Sequence, residues 1–102
     1  MALPPRNHRI SLKDAAEFTK RHRDREPAAV KSFAFHKDQV LELLGQPGCV
    51  GLRIHQARGA DGAASLVLTG IDAADSDLTG GTMLENPFFC PPYCGGGNTL
   101  NS

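Results

Sequence analysis

From Cys49 to Ala57 the chain reads CVGLRIHQA, with Val50, Leu52 and Ile54 on one side and Gly51, Arg53 and His55 on the other. Apolar and polar residues that alternate with period two predict a half-buried strand. RGADGA follows as turn chemistry, and SLVLTGI reads as the returning strand. The pattern therefore predicts a hairpin over about 49–58 and 64–71, burying Leu52, Ile54, Leu66 and Leu68.

Upstream the period lengthens to that of a helix. Ser11 stands three residues before Asp14 in a capping pattern, with Ile10 placed as a hydrophobic staple. Leu12, Ala15, Ala16, Phe18 and Thr19 share one broad side of a helix over about 11–25, which Pro27 stops. The small residues on that side suggest close packing on a sheet. Residues Val30 to Phe35 predict a short strand with Phe33 and Phe35 aligned. A second helix over about 36–45 turns Val40, Leu41 and Leu44 inward and ends at Gly45 and Pro47. Leu12, Val40 and Leu44 are expected to close the core over the hairpin. After Ile71 a polar loop precedes TMLE, a further short strand, and residues 86–97 are dominated by Pro and Gly. These elements predict an α+β fold, a small antiparallel sheet with a central hairpin packed by two helices. Residues 1–9 read as a flexible arm, 10–94 as a single domain, and 95–102 as a flexible Gly-rich tail.

The totals narrow the function classes. With 102 residues there is room for one core, and Lys plus Arg balances Asp plus Glu at 11 each. No global field recruits nucleic acid or an anionic membrane. The basic run Lys20 to Arg25 reads as the cationic C-terminal end of a helix. No stretch approaches the roughly 20 apolar residues of a membrane span. The first nine residues are polar and Pro-rich and show no signal peptide, so a cytoplasmic protein is expected. Structural disulfides are uncommon there, and three cysteines leave one thiol over from any closed framework.

Candidate chemistry is sparse. The chain has no Gly-x-Ser-x-Gly, no phosphate loop and no His-Glu-x-x-His, so no catalytic residue is assigned. Asp75, Asp77, Thr79 and Gly80 match the start of a calcium loop, but the closing position is Asn86 instead of Glu. Arg53, His55 and Arg58 project from the hairpin and could grip an anion, although exposed sheet faces carry such residues for solubility. Cys49 and His55 share a face, yet six residues of strand separate them by roughly 20 Å. A zinc site would have to use Cys90 and Cys94, with Cys49 or a histidine delivered by the fold.

CPPYC is the unusual motif. Four extended Pro-Pro-type steps would hold Cys90 and Cys94 roughly 12 Å apart. A disulfide needs Cα atoms within about 7 Å, so bridging requires a turn, which Pro92 or a cis Pro91–Pro92 bond allows. Cys90 and Cys94 are expected to lie close enough to bridge, because Pro92 and Tyr93 can turn the chain, with Cys49 apart as a buried thiol at the strand start. Three readings of the pair stay open: a reduced structural tail, a reversible disulfide, and half of a metal site.

ISLKDAA, GLRI and the C-terminal cysteine pair near NP together give an order of elements that resembles A-type iron–sulfur carrier proteins. Those carriers have an upstream ligand within a hairpin and a single residue between the paired cysteines. Here Cys49 precedes the strand and three residues intervene, so no ligand is carried over. The GCVGLRI strand with the CPPYCG tail also resembles uncharacterised small bacterial proteins over most of the chain, a likeness that implies no activity. The expectation is a non-enzymatic interaction or accessory module with a protein partner, without cofactor, nucleic acid or membrane. The alternative is a thiol-redox or metal-carrying (zinc or iron–sulfur) protein using Cys90 and Cys94.

Overall fold

The structure, a computed structural model, describes residues 2–101. The elements run α1 (Leu12–Arg25), β1 (Ser32–Ala34), α2 (Lys37–Leu44), β2 (Gly51–Arg58), β3 (Ala64–Ile71), β4 (Met83–Leu84) and β5 (Phe88–Cys90). The fold is α+β with the expected hairpin, and its strands divide between two antiparallel sheets, β2-β3-β4 and β1-β5. Two compact units result: one holds Phe35–Pro87 with the N-terminal residues up to Pro5, the other Arg6–Ala34 with the chain from Phe88 onward. Among the described residues no helix is long and apolar enough to cross a membrane.

The hairpin unit is organised by its turn. Gly59 N donates to Ala63 O and Gly62 N donates to Gly59 O, both at 2.9 Å. Gly62 takes φ +83°, the left-handed conformation that a type I turn followed by a G1 bulge requires. This turn sets the register, with Ile54 opposite Leu68 and Arg53 opposite Thr69. β4 pairs the other edge of β3, Leu84 opposite Leu68. The even-numbered side chains of β2 and β3 therefore share a face with Leu84.

That face holds the core, which is smaller than the pattern predicts. Leu43, Leu68 and Leu84 are buried, with Phe35, Val40 and Leu66 packed against them. Leu52 and Ile54 lie on the same face but are 38% and 57% exposed. The expected burial of this pair is thus corrected, and the reason is width. A helix about 10 Å across covers roughly two strands spaced about 4.8 Å apart. α2 contacts β3 and β4, leaving β2 as an uncovered edge. The expected helix phase is corrected too: Leu43 is fully buried, whereas Leu41 and Leu44 are exposed. Leu12, also expected in the core, is exposed and belongs to the other unit. Beyond the helix, Gly70 lies so close under Cys49 Sγ and Leu78 Cδ1 that a Cβ there would meet them at 3.0 and 3.2 Å.

In the second unit, Ser11 Oγ accepts from Asp14 N at 3.1 Å and starts α1 as the capping pattern predicts. No residue of α1 is fully buried, and Ala15, Ala16, Thr19 and Arg23 form its half-buried stripe. β1 pairs β5 with Phe33 opposite Phe89, their rings edge-to-face at 5.6 Å. β5 forms within the Pro/Gly-rich segment, where the sequence pattern predicts no strand, because β1 supplies its pairing partner. Arg23 Nη1 donates to Leu100 O at 2.6 Å, and Asn101 Nδ2 donates to Cys94 O at 2.8 Å.

Candidate functional site

Three places carry chemistry or open surface. The first is the CPPYC turn. Cys90 and Cys94 are joined as a disulfide with Cα atoms 4.7 Å apart. The turn is closed by Tyr93 N donating to Phe89 O at 2.9 Å, and the Cys90–Pro91 and Pro91–Pro92 bonds are both cis. Cys90 is buried at the end of β5, whereas Cys94 is half-buried. Phe88 and Tyr93 stack edge-to-face at 4.9 Å, and both are exposed. Cys49, a free thiol, stands in the hairpin unit, where its Sγ donates to Gly51 O at 3.2 Å. Among the described residues no three His, Cys, Asp or Glu side chains group so as to hold a metal ion.

The second place is the odd-numbered face of β2, whose chemistry the sequence only hinted at. Arg53 donates through Nη1 to Asp77 Oδ1 at 2.6 Å and through Nη2 to Asp75 Oδ1. His55 Nε2 donates to Asp77 Oδ2 at 2.9 Å. The loop explains the convergence. Asp72 Oδ1 accepts from the amides of Ala74 and Ser76, a tight Asx turn that folds the chain back so that Asp77 bridges Ile71. Residues bridged in this way share a face, so Asp77 joins Arg53 and His55. The would-be calcium ligands Asp75 and Asp77 thus serve as counterions for Arg53. Hydrogen bonds from Arg53, and then from His55, hold the Asp77 carboxyl below its ordinary value. The bonds to Asp77 and Asp75 in turn raise Arg53 above its own. With Asp77 ionised it can only accept, so His55 carries its proton on Nε2. Beside this network Thr69, opposite Arg53, is 3% exposed, and its hydroxyl finds no hydrogen-bond partner among the described residues. Separation along the chain hid this cluster: its acids lie 22 and 24 residues from Arg53.

The third place is the free edge of β2. Gly59 N bonds to Ala63 O, so alternation turns the odd-numbered amides and carbonyls of β2 toward β3. The backbone groups of Leu52, Ile54 and Gln56 consequently point to the open side of the sheet. The same residues present exposed side chains, two of them apolar. No Pro interrupts Gly51–Arg58, so the edge is continuous. Comparison of the chain with protein families, with curated proteins and with solved structures finds no match in any of the three.

Proposed function

We propose that the chain is a small interaction module, not an enzyme, that binds protein by accepting an extended segment along the open edge of β2. The carrying observation is the coincidence of unpaired backbone groups with exposed Leu52 and Ile54 on one strand. An added strand would satisfy the backbone groups, while alternate apolar side chains would pack beside Leu52 and Ile54. Balanced charge supports a protein partner over nucleic acid or an anionic membrane. A cytoplasmic setting, with no cofactor, belongs to the same reading. The test is selection of random octapeptides displayed on phage against the immobilised protein, followed by amide exchange with the selected peptide. Binders should alternate apolar and polar residues, lose affinity for Ile54→Lys, and slow exchange at Leu52, Ile54 and Gln56. Failure to select any binder, or binders indifferent to Ile54→Lys that protect no β2 amide, would refute the reading.

The Cys90–Cys94 pair favours a second reading, as a dithiol–disulfide couple. A thiolate of an external dithiol would attack Cys94 Sγ and release Cys90 as thiolate. The second external thiol would then resolve the mixed disulfide, transferring two electrons and two protons in all. Reduced, the pair would offer two thiolates toward zinc. Equilibration in glutathione buffers with mass counting of free thiols decides the redox role. A potential below that of the glutathione pool would mark the bridge as structural. Metal analysis of the reduced protein decides the zinc role.

A further inference from the structure

We propose that a cleft in the second unit binds a small carboxylate with an apolar body, held by Arg23 and Lys31 against Phe18 and Leu100. The site is independent of the β2 edge, since no residue of the hairpin unit lines it.

α1 supplies Phe18, Thr19, His22 and Arg23 to the cleft, Lys31 enters from just before β1, and Leu100 closes it from the C-terminal segment. Each wall is pinned. His22 Nε2 donates to Val30 O at 3.1 Å, which ties the last turn of α1 to the chain leading into β1. Lys31 N donates to Cys90 O at 2.8 Å and fixes the backbone that carries the lysine side chain. Arg23 Nη1 donates to Leu100 O at 2.6 Å, and Leu100 N donates to Asn98 Oδ1 at 2.7 Å, so the leucine is held against α1. The Arg21 guanidinium lies 5.4 Å from the centre of the Phe18 ring and orients it.

Charge names the ligand. Arg23 and Lys31 are cations at neutral pH, and no acidic side chain among the described residues lines the cleft. Lys20 of the same basic run pairs with Asp24, whereas among the described residues neither Arg23 nor Lys31 has an ion pair. Arg23 spends one N–H on Leu100 O and keeps its other donors, and the Lys31 ammonium keeps all of its own. A chain whose charges balance overall thus concentrates positive charge at one concave place. The cleft opens at the last turn of α1, where the carbonyl end of the helix carries partial negative charge. That charge opposes a second negative charge on the ligand, so a monovalent carboxylate suits the site better than a phosphate. Phe18 and Leu100 are 56% and 41% exposed, leaving apolar surface for the body of the ligand to cover. A volume of about 220 Å³ falls below the roughly 300–1,000 Å³ of drug-sized sites and limits the ligand to a small molecule.

Titration of the isotope-labelled chain with hydrocinnamate, followed by amide chemical shifts, tests the site. Shifts at Phe18, Thr19, Lys31 and Leu100 should saturate with a dissociation constant on the order of 1 mM, as befits so small a ligand. Hydrocinnamyl alcohol has the same body without the charge, and inorganic phosphate has charge without the body. Each should bind at least about tenfold more weakly. Lys31→Ala should weaken hydrocinnamate binding at least about fivefold with the rest of the spectrum in place, and Lys31→Arg should restore it. Leu100→Asp, which sets a carboxylate on the wall, should abolish it. No saturable shift up to about 20 mM, equal binding of the alcohol or of phosphate, or wild-type affinity in Lys31→Ala would each overturn the proposal.

Discussion

Leu43→Ala probes the core directly. Leu43 is fully buried and packs with Leu68 and Leu84, flanked by Phe35, Val40 and Leu66. The substitution removes three carbon groups, about 2.4 kcal/mol at about 0.8 kcal/mol each. The cavity left behind adds to this, and partly exposed neighbours can relax into it, so the total should be about 3 kcal/mol. The effect is large because α2 has eight residues, too few to hold a helix in water without packing. Stability for a chain of this length lies in the range of about 5–15 kcal/mol, so the variant still folds. Urea denaturation followed by circular dichroism is the assay. With a slope of about 1.5 kcal/mol per M, the midpoint should fall by about 2 M. Leu44→Ala is the internal control: its side chain is 40% exposed, and its cost should stay below about 1 kcal/mol. Equal midpoints for the two variants with equal slopes would refute the helix phase and the core assignment together.

Asp77→Asn should lower the denaturation midpoint at pH 5–8, a window above the ordinary carboxyl value of 3.8. Because the folded carboxyl titrates below its unfolded value, Asp77 contributes fully above the unfolded value and loses that contribution as pH falls through the folded one. The gap between wild type and variant should therefore close below about pH 4; a gap unchanged at pH 2 would dissociate it from Asp77 ionisation. Thr69→Val removes a buried hydroxyl without a partner while keeping its shape, and should raise stability by about 1 kcal/mol in the same urea assay. A loss of that size would show that the hydroxyl is satisfied in solution. Reducing the Cys90–Cys94 bridge opens a loop of only five residues, so the loss should be about 2 kcal/mol or less by chain entropy. Denaturation with and without reductant measures it, and mass mapping that recovers a Cys49 crosslink instead would break the pairing.

Local signals were legible where local physics decides. Ser11 and Asp14 mark the start of α1, Gly45 marks the end of α2, and RGADGA with its glycine at 62 dictates the hairpin turn and register. Capping, turn geometry and period-two alternation are encoded within a few residues and need no distant partner. Period two also assigned Leu52, Ile54, Leu66 and Leu68 correctly to one face. It carried no information on which strands of that face a helix would cover. Burial depends on where an eight-residue helix lands on a three-stranded sheet, and α2 lies over β3 and β4. The approach of Cys90 to Cys94 is legible in the turn chemistry of Pro92 and Tyr93, whereas the state of the pair is open in the sequence, because reduced, bridged and metal-bound cysteines share that spacing. The meeting of Arg53 with Asp75 and Asp77 was not written in any spacing. It follows from the Asx turn at Asp72, which returns the chain beside Ile71 and sets two carboxylates on the face of an arginine more than twenty residues earlier. Periodicity thus determined which side of each strand is apolar, and tertiary packing alone decided which apolar side chains leave water.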